Sequence, residues 1–362
     1  MRTLITPSRL IGGLLLVTTL GSAAADAPAQ ELLYSTEAIH VLAGSGHSWG
    51  FAALDPTRPY LFLARRENGL SVFDIERQVL VKQLDETQGA NAVAFAPELN
   101  RAYVANMDGT LGILRLDDMT LLKRLPVDAG NLNNLLYDSE RKRVLITSGR
   151  RAESSTLYLF DPAQERIVAS HELPVRKLDA PLLLRSGELV LPLRDEDQVA
   201  LLSGEALQHH RTWRFAACSK PSAVAADERH QRLFVACRGE TPTLLVVDLA
   251  TGNVLTTLPV DRAVNVMAFD EDLGRLLIPS GPDASLTVVE RGTDGRYRAR
   301  GSVGTRPWAH NMVYDAARGR VHLFTMDFTQ PAPDEANAKP DPIFHADTFS
   351  ILTLASPETP NR

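Results

Sequence analysis

The chain has 362 residues, 44% of them hydrophobic, and its 44 acidic side chains outnumber 38 Lys and Arg for a formal net charge of −6. That balance argues against duplex nucleic acid as a general partner, because gripping its backbone rests on neutralising phosphates with basic side chains. A chain this long ordinarily divides into two domains, unless internal repeats build one larger one.

At the N-terminus, Arg2 and Arg9 flank the start of an apolar run from Leu10 to Leu20, which leads into small residues with an Ala23-x-Ala25 pattern. Residues 1–25 read as a secretory signal peptide. The run is shorter than the roughly 20 residues a membrane span needs. The expected protein is periplasmic or secreted, without a membrane span, with residues 26–362 forming one domain.

From residue 46 onward one unit recurs. FAALDPTRPYLFLARRENGLSVFDI, VAFAPELNRAYVANMDGTLGILRL and NLLYDSERKRVLITSGRRAESSTLYLFD each give an apolar strand, a polar turn, a basic residue, a second apolar strand, a loop and an alternating third strand. The pattern continues through LLLRSGELVLPLRDEDQVALLSG, VAADERHQRLFVACRGETPTLLVVDL, MAFDEDLGRLLIPSGPDASLTVVER and MVYDAARGRVHLFTMD. Turn anchors at Asp55, Ala96, Asp138, Arg185, Asp227, Asp270 and Asp315 are 41 to 47 residues apart. That period belongs to four-stranded propeller blades. Helical periodicity is absent, so the fold class is all-β. The blades fall near 46–88, 89–129, 130–177, 178–219, 220–262, 263–306 and 307–354.

Stretches such as VLVKQLD and TLLKRLPV supply a fourth strand, but the last unit ends at FSILTL without one. The segment AIHVLAG, residues 38–44, is an unmatched strand near the N-terminus. Pairing it with the last blade closes the ring and hides its edges.

The strand-two segments RAYVAN and RLFVAC, followed by xLxVxD-type strands, resemble the YVTN family of seven-bladed propellers, although the full tetrad appears nowhere. The secreted single-domain layout is similar to that of the YncE-like bacterial proteins. The resemblance implies a seven-bladed fold over the whole mature chain. It leaves function open: some members are linked to nucleic-acid binding, and related seven-bladed folds act as lactonases or quinone-dependent dehydrogenases.

Aligning the anchors places Gly50, Asn91, Asn133, Ala180, Ser222, Asn265 and His310 at one position near the start of strand one. Asn is a poor strand residue, so its repetition marks a polar environment: hydrogen bonds between blades or channel water, or contact with a ligand. On the same face the sequence gathers His47, Trp49, Trp308 and His310. The insertion at 329–347, between strands two and three of the last blade, adds His345 and Asp347; a loop this long is often a lid or binding loop. The candidate ligand-binding set is thus His47, Trp49, Asn91, Asn133, Asn265, Trp308, His310 and His345, unless the aromatic residues merely plug the channel. His47, His310 and His345, with Asp327 or Asp347, are also candidate ligands for a transition metal, although no local spacing encodes such a site.

Arg65, Arg66, Arg150, Arg151, Arg194 and Arg238 follow strand two in their blades, where they could attract carboxylates or phosphates, or form a mixed-charge rim with their acidic neighbours. Cys218 and Cys237, the only cysteines, read first as a disulfide, with free thiols or a metal or redox role as alternatives. No Gly-rich phosphate loop, HExxH or CxxC occurs. The functional expectation is a monomeric module that binds a small molecule or a protein partner at the channel mouth. An enzyme at the same face, a metal-dependent hydrolase or lactonase, is the alternative, and a scaffold that only docks a partner is a third.

Overall fold

The computed structural model describes residues 32–333 and 340–357; the signal-peptide expectation for residues 1–25 lies outside them. Seven four-stranded antiparallel sheets form a seven-bladed β-propeller. The first blade runs Ala52–Leu54, Tyr60–Ala64, Leu70–Asp74 and Val79–Leu84 from the axis outward, and the next five repeat that order in sequence.

The anchor aspartates explain why strand one turns back where it does. Asp55 accepts from Thr57 N at 2.9 Å, Asp138 from Glu140 N and Arg141 N, Asp270 from Asp272 N and Leu273 N, and Asp315 from Arg318 N. A carboxylate that caps its own downstream amides fixes a tight turn. The same device ends strand three, where Asp74, Asp161 and Asp248 cap the turns into the outer strands. One residue type at a fixed place thus shapes two of the three hairpins in a blade.

The core is a set of layers between blades. Seven clusters of buried apolar side chains are described, one at each seam between neighbouring blades. Phe62 and Val72 of the first blade meet Val93 and Val104 of the second, for example. A blade alone would leave both faces wet, so stability depends on the ring being complete.

The ring closes as the unmatched N-terminal segment requires. Ser35–Leu42 pairs antiparallel with Phe349–Ala355, with His40 opposite Ile351 and Leu42 opposite Phe349, and becomes the outer strand of the last blade. Arg65 fastens its exit, donating from Nη2 to Leu42 O at 3.2 Å and Ala43 O at 2.8 Å while lying over the Phe349 ring. The insertion forms a small hairpin, Phe328–Thr329 against Ile343–Phe344. Asp347 ties it to the N-terminal segment through two hydrogen bonds with the Gly44 backbone.

Candidate functional site at the channel mouth

The recurring polar position resolves into seams and one exception. In blades two, three and five, Asn91, Asn133 and Ser222 sit in β-bulges, which turn a side chain out of the ladder. Asn91 Nδ2 donates to Leu132 O and Asn133 O at 3.1 and 2.8 Å, Asn133 Nδ2 to Leu178 O at 2.8 Å, and Ser222 Oγ to Val264 O at 2.8 Å. Each residue stitches its blade to the next, and both asparagines are buried with their donors engaged. Gly50 leaves room for this: a Cβ there would stand 2.1 Å from Asn91 O. In the last blade the stitch comes from Asn311, whose Nδ2 donates to Gly50 O at 2.8 Å.

His310 is therefore released from the seam. Its Nδ1 lies 2.7 Å from Trp308 O. A carbonyl only accepts, so Nδ1 carries the hydrogen and Nε2 presents a lone pair. Burial, followed by repulsion from Arg238, Lys177 and Arg66, pulls the imidazole down to about 4 against the Trp308 hydrogen bond, so it is neutral near pH 7. Asn265 is oriented by similar logic. Gly50 O must receive the Asn311 amide, so Asn311 Oδ1 receives Asn265 Nδ2 at 2.8 Å, and Asn265 Oδ1 is left as an acceptor with no donor among the described residues. Trp308 adopts φ 64, a left-handed conformation uncommon for a bulky residue. Its N–H is held by Gly281 O at 2.8 Å, and an added Cβ at Gly281 would press 3.0 Å from His310 Cβ.

Arg238, Asn265, Trp308 and His310 line a cavity of about 140 Å³, with Ala263 and Pro282 completing it. Trp49 lies beside His310 at 5.8 Å between ring centroids, but it is 7% exposed, packed edge-on to Phe344 at 4.9 Å. Phe344 also meets Trp308, so the insertion hairpin covers the aromatic side of the mouth. His47 contacts Phe344 O through Nδ1 at 2.9 Å, and His345 Nε2 contacts Thr329 Oγ1 at 2.9 Å; both are exposed. The structure does not bring His47, His310 and His345 together as a ligand set. Among the described residues no group of three or more His, Cys, Asp or Glu could hold a metal ion.

The arginines divide into paired and unpaired ones. Arg65 serves the closing strand, and Arg151 is held by Asp128 at 2.9 Å and by Asn131. Arg194 and Lys177 share Asp179, at 2.5 and 3.5 Å, and Arg194 Nε is buried without a hydrogen-bond partner. Among the described residues Arg66 Nε reaches only the amide oxygen of Asn91, at 3.0 Å. The Arg238 guanidinium makes no hydrogen bond or ion pair among the described residues, while its backbone N–H is fixed to Lys220 O. Burial and then Arg194 push its charge down to about 10, with Asp179 opposing. Lys177 and Asp179, in the loop entering blade four, escaped sequence analysis because a lone Lys-x-Asp carries no signal until that loop reaches the axis.

Arg238 is positioned by its neighbour. Cys237 is joined to Cys218 in a disulfide with Cα atoms 5.3 Å apart. That bridge fits an oxidising compartment. Among the described residues no helix is long and apolar enough to cross a membrane. Larger clefts, including one of about 480 Å³ near Tyr103 and Arg143, are grooves between blades; in that one Arg143 is paired with Asp161 and Arg141 with Asp138.

No protein-family model matches the chain, and no curated protein matches it. Solved structures do. A chain of the Kuenenia stuttgartiensis hydrazine synthase aligns with a TM-score of 0.65 at 13% identity, over 78% of this chain and 94% of that one. A chain of a mitotic checkpoint complex aligns with a TM-score of 0.68 at 12% identity, over 86% of this chain and 96% of that one. At such identities the likeness shows the propeller fold alone, and the YVTN resemblance rests on its strand motifs.

Proposed function

We propose that the protein is a secreted or periplasmic binding module that takes a small ligand at the axial mouth formed by Arg238, Asn265, Trp308 and His310. The observation that carries this reading is the Arg238 guanidinium, partly buried on the cavity wall with no protein partner among the described residues. Partly buried cations are normally paired, because desolvating a charge without compensation is expensive. A ligand supplies the missing partner. Trp308 supports the reading, since backbone strain in a bulky residue persists only where surroundings over-determine it, and such residues cluster at ligand clamps.

The cavity is smaller than the roughly 300–1,000 Å³ of drug-sized pockets, so the ligand is of small-metabolite size or inserts one end. The test is a thermal-shift screen of small metabolites on the mature protein, followed by the same screen on Arg238→Ala. Compounds that raise the wild-type melting temperature and lose that effect in the variant support the mouth as the site. Stabilisation that persists unchanged in Arg238→Ala refutes it.

A further inference from the structure

Resting on the mouth as the binding site, we infer that its ligand is a small hydroxycarboxylate, an organic acid carrying at least one carboxylate and one hydroxyl. The charge around the mouth sets the first requirement. Arg66, Lys177, Arg194 and Arg238 come from blades one, four and five and the loop entering blade four, and these converge only at the axis. Three of them, Arg238, Lys177 and Arg66, act electrostatically on His310 from the last blade. Two carboxylates oppose the four cations: Asp179, held between Lys177 and Arg194, and Glu67, which acts on Arg66 and is occupied by Ser48 Oγ. Three carboxylates further out on the rim are engaged elsewhere, Asp195 with Arg176, Asp197 with Lys220 N and Asp283 with Arg262. The mouth therefore carries excess positive charge on an acidic protein, and a guanidinium fork matches a carboxylate.

The acceptors set the second requirement. His310 and Asn265 both line the cavity, and His310 Nε2 and Asn265 Oδ1 are left as acceptors by the Trp308 carbonyl and by the Asn265–Asn311–Gly50 chain. A ligand that is only an anion would set its own lone pairs against them. A hydroxyl donates to one of these acceptors while the carboxylate meets Arg238, so the charge and one of the two acceptors are met, which an anion without a donor does not achieve. A bare phosphate meets the charge requirement and, as a dianion, also brings one donor, so it is the competing ligand in the test.

The test is isothermal titration of the mature protein with four probes: malate, succinate, inorganic phosphate and glycerol. Malate is expected to bind most tightly, with succinate, which lacks the hydroxyl, weaker by about tenfold. Arg238→Ala should weaken both acids by about tenfold or more, and added salt should weaken both in wild type. Whichever of His310 and Asn265 receives the hydroxyl, its variant, His310→Phe or Asn265→Leu, should erase the preference for malate over succinate, and a preference kept in both variants would overturn the assignment of the acceptors. Melting curves of each variant establish that it is folded, and the two positions lie in loops entering different blades. Equal binding of malate and succinate, tightest binding by phosphate or glycerol, or no malate binding at millimolar concentration would overturn the hydroxycarboxylate assignment and leave the mouth reading to its own screen. Malate binding that is unchanged in Arg238→Ala would overturn both.

Discussion

Acid should unfold this protein partly through one histidine far from the mouth. His322 lies on the second strand of the last blade, 2% exposed, with Nδ1 3.0 Å from Thr353 Oγ1 and Nε2 buried without a partner. Burial pulls its pKa from 6.5 to about 4, outweighing attraction to Asp315 and Glu37. The unfolded chain therefore binds this proton near 6.5 and the folded chain only near 4, so stability is full above about pH 6.5 and falls as pH drops through that window. At 1.36 kcal/mol per pK unit, the complete loss is about 3 kcal/mol, and most of it is gone by pH 4.5. Set against a typical total of about 5–15 kcal/mol, this is a large share. Urea unfolding at about pH 7.5 and pH 4.5 measures it, with His322→Leu as the comparison because Leu is apolar and does not titrate. His310 and the carboxylates titrate in both proteins, so the difference between them isolates His322. The wild type should lose about 2–3 kcal/mol more than the variant between the two pH values; equal losses would refute the argument.

Further perturbations test the ring itself. Gly50→Ala places a methyl 2.1 Å from a backbone oxygen at the seam of blades one and two and should cost about 1–3 kcal/mol or more by overpacking; Gly304→Ala, with nothing within 4 Å, is the control, and a matching urea midpoint for the two would contradict the close approach. Deleting residues 26–45 removes the closing strand, and burial of Tyr34 and Leu42 alone is worth roughly 3–6 kcal/mol, so calorimetry should show melting lowered by about 10 °C. An unchanged melting curve would mean that the ring does not depend on that strand. Replacing Cys218 and Cys237 together by Ser frees a segment whose ends are 19 residues apart, and chain entropy sets the loss at about 3 kcal/mol. Denaturant titration should register it, and a loss near zero would show that the bridge adds no constraint.

The sequence by itself determined the repeat and its closure. Asp at a fixed place caps a turn wherever it occurs, and alternating apolar residues make strands, so Asp55, Asp138, Asp270 and Asp315 announce blades from local chemistry alone. The surplus strand near the N-terminus and the missing one at the other end are likewise readable without coordinates. The function of the recurring polar position was not. Asn91 and Asn133 look alike in sequence to His310, yet bulges turn the first two into seams while Asn311 takes over the stitch and leaves His310 on the cavity wall. Nor does the chain distinguish Arg151, paired with Asp128, from Arg238, which has no partner among the described residues. Those outcomes depend on distances between loops one or more blades apart in sequence. Such distances are set by how seven sheets pack around an axis, and side-chain pairing at the centre follows only once that packing is complete.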